Sequence, residues 1–296
     1  MSPRLVSCLL LTALASACGP DLDGDGVFAE EDCDDADPAV WLADAPYAGV
    51  LNAEIPSFCA GYCARTVAGD VEVSGSLDTD LSALACLTQV DGSVSVTASH
   101  ALTDLSGLDR LTEIGGFLSV SQNAALGDLG GLEVLSVVRG GLTIAENGAL
   151  VSLLGLRRLA VVGDGVVIQQ NHALGSLEGL EQVSTVEGGL VVADNRSLTS
   201  LSGLSGLQSV EADLYLGDND ALPSLDGLES LREVGGDLSV VNNLTLTSVA
   251  ALQALDRVGG DLTVNGNLML PTRDAETLAS WVDEVGGDVL IARNGP

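Results

Sequence analysis

A chain of 296 residues, 46% of them apolar, can build a sizeable core, but with three Phe, two Trp and three Tyr that core must be stacked Leu and Val. Its 42 acidic residues outweigh eleven Arg, with no Lys, for a net charge of -31. Nucleic acid is thereby excluded as a partner, because phosphate binding needs clustered cations and the densest run here is Arg157-Arg158. Such a surface keeps the chain soluble and favours cations or basic partners.

Residues 1–17 read as a secretory signal peptide: Arg4, an apolar run from Leu5 to Leu14, then Ala15, Ser16 and Ala17. The run is too short for a stable membrane anchor. Cys18 follows directly, and Ala15-Ser16-Ala17-Cys18 resembles the lipobox of bacterial lipoproteins, with Ala15 where Leu is usual. The resemblance implies that Cys18 is lipidated and holds an exported chain to the membrane. Gly19, in place of the Asp that retains lipoproteins at the inner membrane, implies the outer membrane. With Cys8 removed and Cys18 acylated, Cys33, Cys59, Cys63 and Cys86 remain as an even set of disulfide candidates for an oxidising compartment.

Residues 18–37 form an acidic tether. Asp21, Asp23, Asp25, Val27 and Asp32 fall at positions 1, 3, 5, 7 and 12 of a calcium-type loop, with Gly26 at the sharp turn. Carboxylates and the Val27 carbonyl would supply the oxygens that one structural calcium needs, stiffening the tether; the competing reading is a solvated spacer. With no amphipathic helix flanking it, the loop resembles those of dockerins and thrombospondin type 3 repeats rather than a sensor EF-hand. Residues 38–64 hold Trp41, Tyr47, Phe58 and Tyr62 beside Cys59 and Cys63, a composition expected of a disulfide-pinned cap over the first rung of a repeat array.

Residues 65–296 repeat. Asn123, Asn147, Asn171, Asn195, Asn219, Asn243 and Asn267 are each 24 residues apart, as are Leu102 through Leu246. Within a copy two periods alternate. Leu238 and Val240 are two apart, predicting a strand with one inward face. Leu222, Leu225, Leu228 and Leu231 are three apart, predicting short extended or 3₁₀-like pieces. Each copy is then one coil, stacked on its neighbours through parallel strands, with an internal asparagine ladder and with Gly235-Gly236 supplying positive φ at the corner before the strand. The unit LxxLxGLxxLxxVGGxLxVxxN resembles the receptor L-domain repeats of growth-factor receptors, fungal wall proteins and bacterial lipoproteins. That resemblance implies a mainly β, right-handed parallel solenoid of about eight 24-residue coils, related to leucine-rich repeats.

In the last copy Leu278, Trp281, Val282 and Val285 take helical spacing after Pro271-Thr272, predicting a short C-terminal capping helix that ends at a glycine pair. No hydrolase, nucleotide or metalloprotease motif accompanies His100 or His172. A stacked column of Asp213, Asp237, Asp261 and Asp288 is the only footing for an enzyme, which would be carboxylate-based and polysaccharide-active. What remains is surface. Ser119, Thr143, Val167, Val191, Tyr215, Ser239, Thr263 and Leu290 should form one outward stripe, with Thr143, Val191 and especially Tyr215 as candidate contacts for a protein or glycan. The expected protein is a monomeric, non-enzymatic recognition or adhesion scaffold at the cell surface. A polysaccharide-active enzyme and a purely structural envelope protein are the alternatives.

Overall fold

The computed structural model describes residues 51–52, 58–59 and 64–296. Parallel strands stack coil upon coil into an eleven-stranded sheet running in chain order from Leu51–Asn52 to Val289–Ala292. Equivalent residues meet across it: Leu214 pairs with Leu238, Tyr215 with Ser239 and Leu216 with Val240. The strand period of two is the cause, since in Leu238–Val241 the apolar Leu238 and Val240 are buried while Ser239 and Val241 face outward. Two five-stranded sheets of mostly two-residue strands, such as Glu233–Val234, stack on another side of the coil. The chain is therefore the predicted mainly β, parallel solenoid.

The leucine triplets explain themselves in hydrogen bonds. Leu228 donates its amide to the Leu225 carbonyl at 3.2 Å and Leu231 to Leu228 at 3.1 Å, so each turn of three residues delivers one side chain to the interior. Leu222, Leu225, Leu228 and Leu231 are all fully buried. Removing each from water contributes on the order of 1.5–3 kcal/mol. Four coils tighten into recognisable 3₁₀ turns, Ser82–Leu84, Leu154–Leu156, Ser202–Leu204 and Ala250–Ala254.

The asparagines are buried without residual exposure. Asn195 Oδ1 accepts the Asn171 amide at 3.0 Å, while its Nδ2 donates to the Ile168 carbonyl at 2.9 Å and reaches Asn219 Oδ1 at 3.5 Å. Each side chain thus bonds backbone of the preceding coil, and all but that of Asn219 also reach the amide oxygen of the next. Ser99 takes over at the front, its hydroxyl accepting the Ser76 amide at 3.1 Å, and Asn294 closes the back.

The glycine pairs need correction. Gly235 and Gly236 do not have positive φ; the glycines that do include Gly107, Gly131, Gly179 and Gly227, at φ of 105° to 117°, in the L-x-G-L turn. The other left-handed column is glycine only at Gly266, φ 76°, before Asn267: Gln122, Glu146, Gln170, Asp194, Asp218 and Asn242, each just before a ladder asparagine, lie at φ 50° to 60°. What the pair supplies is closeness. A β-carbon on Gly235 would collide with the Glu211 carbonyl oxygen, and one on Gly236 with the Asp213 carboxylate, both in the coil below.

The ends depart from the repeat. Helix α1, Thr272–Trp281, replaces the leucine triplets of the last coil, with Asp274 in its first turn and Ala275 and Leu278 buried. It stops earlier than the apolar spacing predicts: Val282 is extended, and Val285 pairs with Val258 in the strand Glu284–Val285. The glycine pair Gly286-Gly287 lies beyond that strand rather than at the helix end. At the front, Val71–Ser74 and Leu51–Asn52 add rungs before Val94–Thr97, so the sheet reaches into the segment read as a cap. There Phe58 is buried, its ring 4.5 Å beneath the Arg65 guanidinium, and Cys59 is bonded to Cys86.

Candidate functional site

The sheet register brings the predicted stripe together. Ser119, Thr143, Val167, Val191, Tyr215, Ser239, Thr263 and Leu290 are successive partners along one outward row. Thr143 and Val191 are half-buried and flank Val167, while Tyr215 sits directly beside Val191. The parallel row, two residues on, carries Ala193, Gly217 and Val241.

Gly217 decides how Tyr215 lies. A β-carbon there would come within 2.5–2.6 Å of the ring and hydroxyl of Tyr215, so the aromatic ring rests flat on the sheet over the one glycine of that row's central stretch. Partial burial first, and then the charge and hydrogen-bonding of the Asp218 carboxylate, push the Tyr215 phenol above its ordinary value of 10. Beside it at the corner, Arg196 pairs with Asp194 at 2.9 Å, and His172 Nδ1 lies 3.1 Å from the Asp194 carbonyl. The arrangement is an aromatic platform on a surface of small side chains, with carboxylates and a guanidinium at its edge. It offers ring stacking, hydrogen bonding and charge, but no nucleophile–base pair.

The aspartate column is occupied by its own backbone. The Asp237 amide donates to Asp213 Oδ1 at 2.8 Å, Asp261 to Asp237 at 2.7 Å and Asp288 to Asp261 at 2.7 Å. These carboxylates cap the coil above them. Among the described residues, no three His, Cys, Asp or Glu side chains converge as metal ligands.

Of the cysteines expected to pin the cap, Cys59 pairs with Cys86, their Cα atoms 5.4 Å apart and the Cys86 amide 2.9 Å from Cys59 Sγ. Cys33 and Cys63 lie outside the described residues, as do Cys18 and the calcium-loop positions Asp21, Asp23, Asp25, Val27 and Asp32. No helix among the described residues is long and apolar enough to cross a membrane.

Sequence reasoning placed Tyr215 on the face but missed Gly217 beneath it. The available signal was the pairing itself: the consensus strand L-x-V-x reads Leu214-Tyr215-Leu216-Gly217 only where the aromatic occurs. No family model matches this chain, and no curated protein does. Among solved structures it is similar to an internalin (inlF) from Listeria monocytogenes, at 16% identity over 96% of this chain and 94% of that one, with a TM-score of 0.30.

Proposed function

We propose that this chain is a non-enzymatic recognition or adhesion scaffold that binds a protein or glycan across the outer row of its main sheet, with Tyr215 as anchor. The observation that carries this reading is the Tyr215–Gly217 pair, a flat exposed-edge aromatic on an otherwise small-residue surface. Everything else periodic in the coil is committed to holding the coil together: the asparagines to the ladder, the column aspartates to backbone amides, the leucines to the core. A carboxylate-based enzyme would have to draw on Asp213, Asp237 or Asp261, whose Oδ1 atoms already accept hydrogen bonds. In the same reading Cys18 carries lipid that holds the scaffold at the outer membrane, and Asp21, Asp23, Asp25, Val27 and Asp32 hold one calcium that stiffens the tether.

The test is binding of the purified protein to glycan and cell-surface arrays, compared between wild type, Tyr215→Ala and Thr143→Ala/Val191→Ser. Loss of a wild-type signal in Tyr215→Ala at unchanged melting temperature supports the reading. A ligand whose binding ignores all three positions, or a bond-cleaving activity lost with one column aspartate, overturns it. Calcium calorimetry on the full chain, with Asp23→Ala/Asp25→Ala as control, tests the tether, and a palmitate-analogue label lost in Cys18→Ser tests the anchor.

A further inference from the structure

Helix α1 stands where the preceding coils have leucine turns, and a cleft opens beside it. Asp274, Thr277 and Trp281 fall at i, i+3 and i+7, so all three look from one helix face toward Ser248, Val249 and Ala250 at the start of the preceding coil's 3₁₀ turn. Between them lies an open cleft of about 220 Å³. That is smaller than the roughly 300–1,000 Å³ that takes a whole small molecule, and it suits the end of one side chain.

The chemistry of the lining is one-sided. Asp274 is exposed, and its carboxylate makes no hydrogen bond or ion pair among the described residues. Thr277 already gives its hydroxyl proton to the Arg273 carbonyl at 2.7 Å, leaving oxygen lone pairs, and Ser248 Oγ accepts the Ala250 amide at 3.2 Å. No Arg or His among the described residues lines the cleft. Trp281 completes it, half-buried against the core, in a solenoid whose coils otherwise fill with Leu and Val. A carboxylate, an indole and hydroxyl oxygens around one small opening are complementary to a cation that is flat or alkyl-skinned. The net charge of -31 raises the local concentration of such a group.

We propose that this cleft receives an arginine or lysine side chain of a basic partner peptide, the ammonium or guanidinium group meeting Asp274 and its stem or plane lying against Trp281. The site is separate from the outer row of the main sheet, so its failure would leave the Tyr215 reading untouched.

Because the chain has only two tryptophans, Trp41→Phe makes Trp281 the sole indole emitter. In the full-length Trp41→Phe protein, a capped Arg-containing pentapeptide should shift Trp281 emission saturably, and a matched peptide with norleucine at that position should not. Asp274→Asn in the same background should weaken the arginine peptide by about tenfold or more, as expected for losing a charged hydrogen-bond partner, with the circular dichroism spectrum and melting temperature retained. Methyl glucoside serves as the saccharide arm. The proposal falls if the arginine and norleucine peptides behave alike, if Asp274→Asn binds as well as its parent, or if only the saccharide binds. Should the Asp274→Asn variant fail to fold, amide NMR shifts on the unsubstituted chain decide: peptide-induced shifts must cluster at residues 248–250 and 274–281.

Discussion

Asn195 shows how much one side chain carries. It holds the Asn171 amide, the Ile168 carbonyl and a link to Asn219, all without solvent to replace them. Asn195→Ala should therefore destabilise the fold by about 1–3 kcal/mol, the cost of stranding buried backbone groups, read from denaturant midpoints at constant slope. Tyr215 gives a second test, through pH. Its phenol is raised because the charged form is disfavoured by burial and by Asp218, so the folded state holds the proton more tightly than the unfolded one. The sign follows: this contribution is complete below pH 10 and is lost as pH climbs through the higher folded value. Alkaline titration should show one tyrosine ionising late in the wild type, and Tyr215→Phe should remove that late phase together with its share of the alkaline fall in stability. If all tyrosines ionise together at the ordinary value, Tyr215 is not packed against Gly217 and Asp218.

Elements made of so few residues depend on where backbone meets backbone. Gly227 has a φ of 113° and faces the Leu201 carbonyl of the coil below, which a β-carbon would strike. Gly227→Ala should cost more than the roughly 1 kcal/mol of an ordinary glycine exchange, whereas Gly175→Ala, with nothing within 4 Å, should be nearly neutral. The opposite change is available in the core. Val166 and Val183 stand where neighbouring coils have Leu142 and Leu190, and Leu159 and Leu207, and a cavity of about 10 Å³ lies between them. Val183→Leu should raise stability by about 0.5–1 kcal/mol, while adding Val166→Leu should give less than the sum because both fill one void. Melting curves of the three variants check this. Period made most of the fold legible: Leu238 and Val240 two apart announced a strand, and a lone asparagine every 24 residues among leucines announced a ladder. The conformational detail was not legible. Gln122, Glu146 and Asp218 share a left-handed φ although Gln and Glu seldom adopt it, each standing directly before a ladder asparagine. Val285 carried helical spacing but is held in a strand by Val258, and the Cys59–Cys86 partner choice depends on a cap geometry that no local spacing encodes.

At the scale of the whole molecule, each coil touches its neighbours and little else, so stability is a sum of coils and interfaces rather than the property of one centre. The ion pairs that cross coils among the described residues include Arg139 with Glu113 at 2.7 Å, Arg257 with Glu233 at 2.6 Å and Arg257 with Glu284 at 3.4 Å; they lie at the surface and contribute little each. Register is what must be kept. Removing residues 148–171 joins Asn147 to His172-Ala173-Leu174, which restores the Asn-x-x-Leu spacing of the deleted stretch and lets the Asn147 amide reach Asn195 Oδ1 in place of Asn171 Oδ1. The leucine columns, outer row and Tyr215 platform close up by one coil. That 24-residue deletion should keep a single cooperative transition, a parallel-β spectrum and whatever binding depends on Tyr215, at a modestly lower melting temperature. Removing only residues 148–159 instead sets Ala160-Val161-Val162 after Asn147, so a strand segment falls where the leucine turn belongs and Val166 is carried out of line with Leu142. The shorter deletion should lose the cooperative transition despite discarding less core. A 12-residue deletion that melts as well as the 24-residue one would mean that total burial, rather than column register, holds this solenoid together.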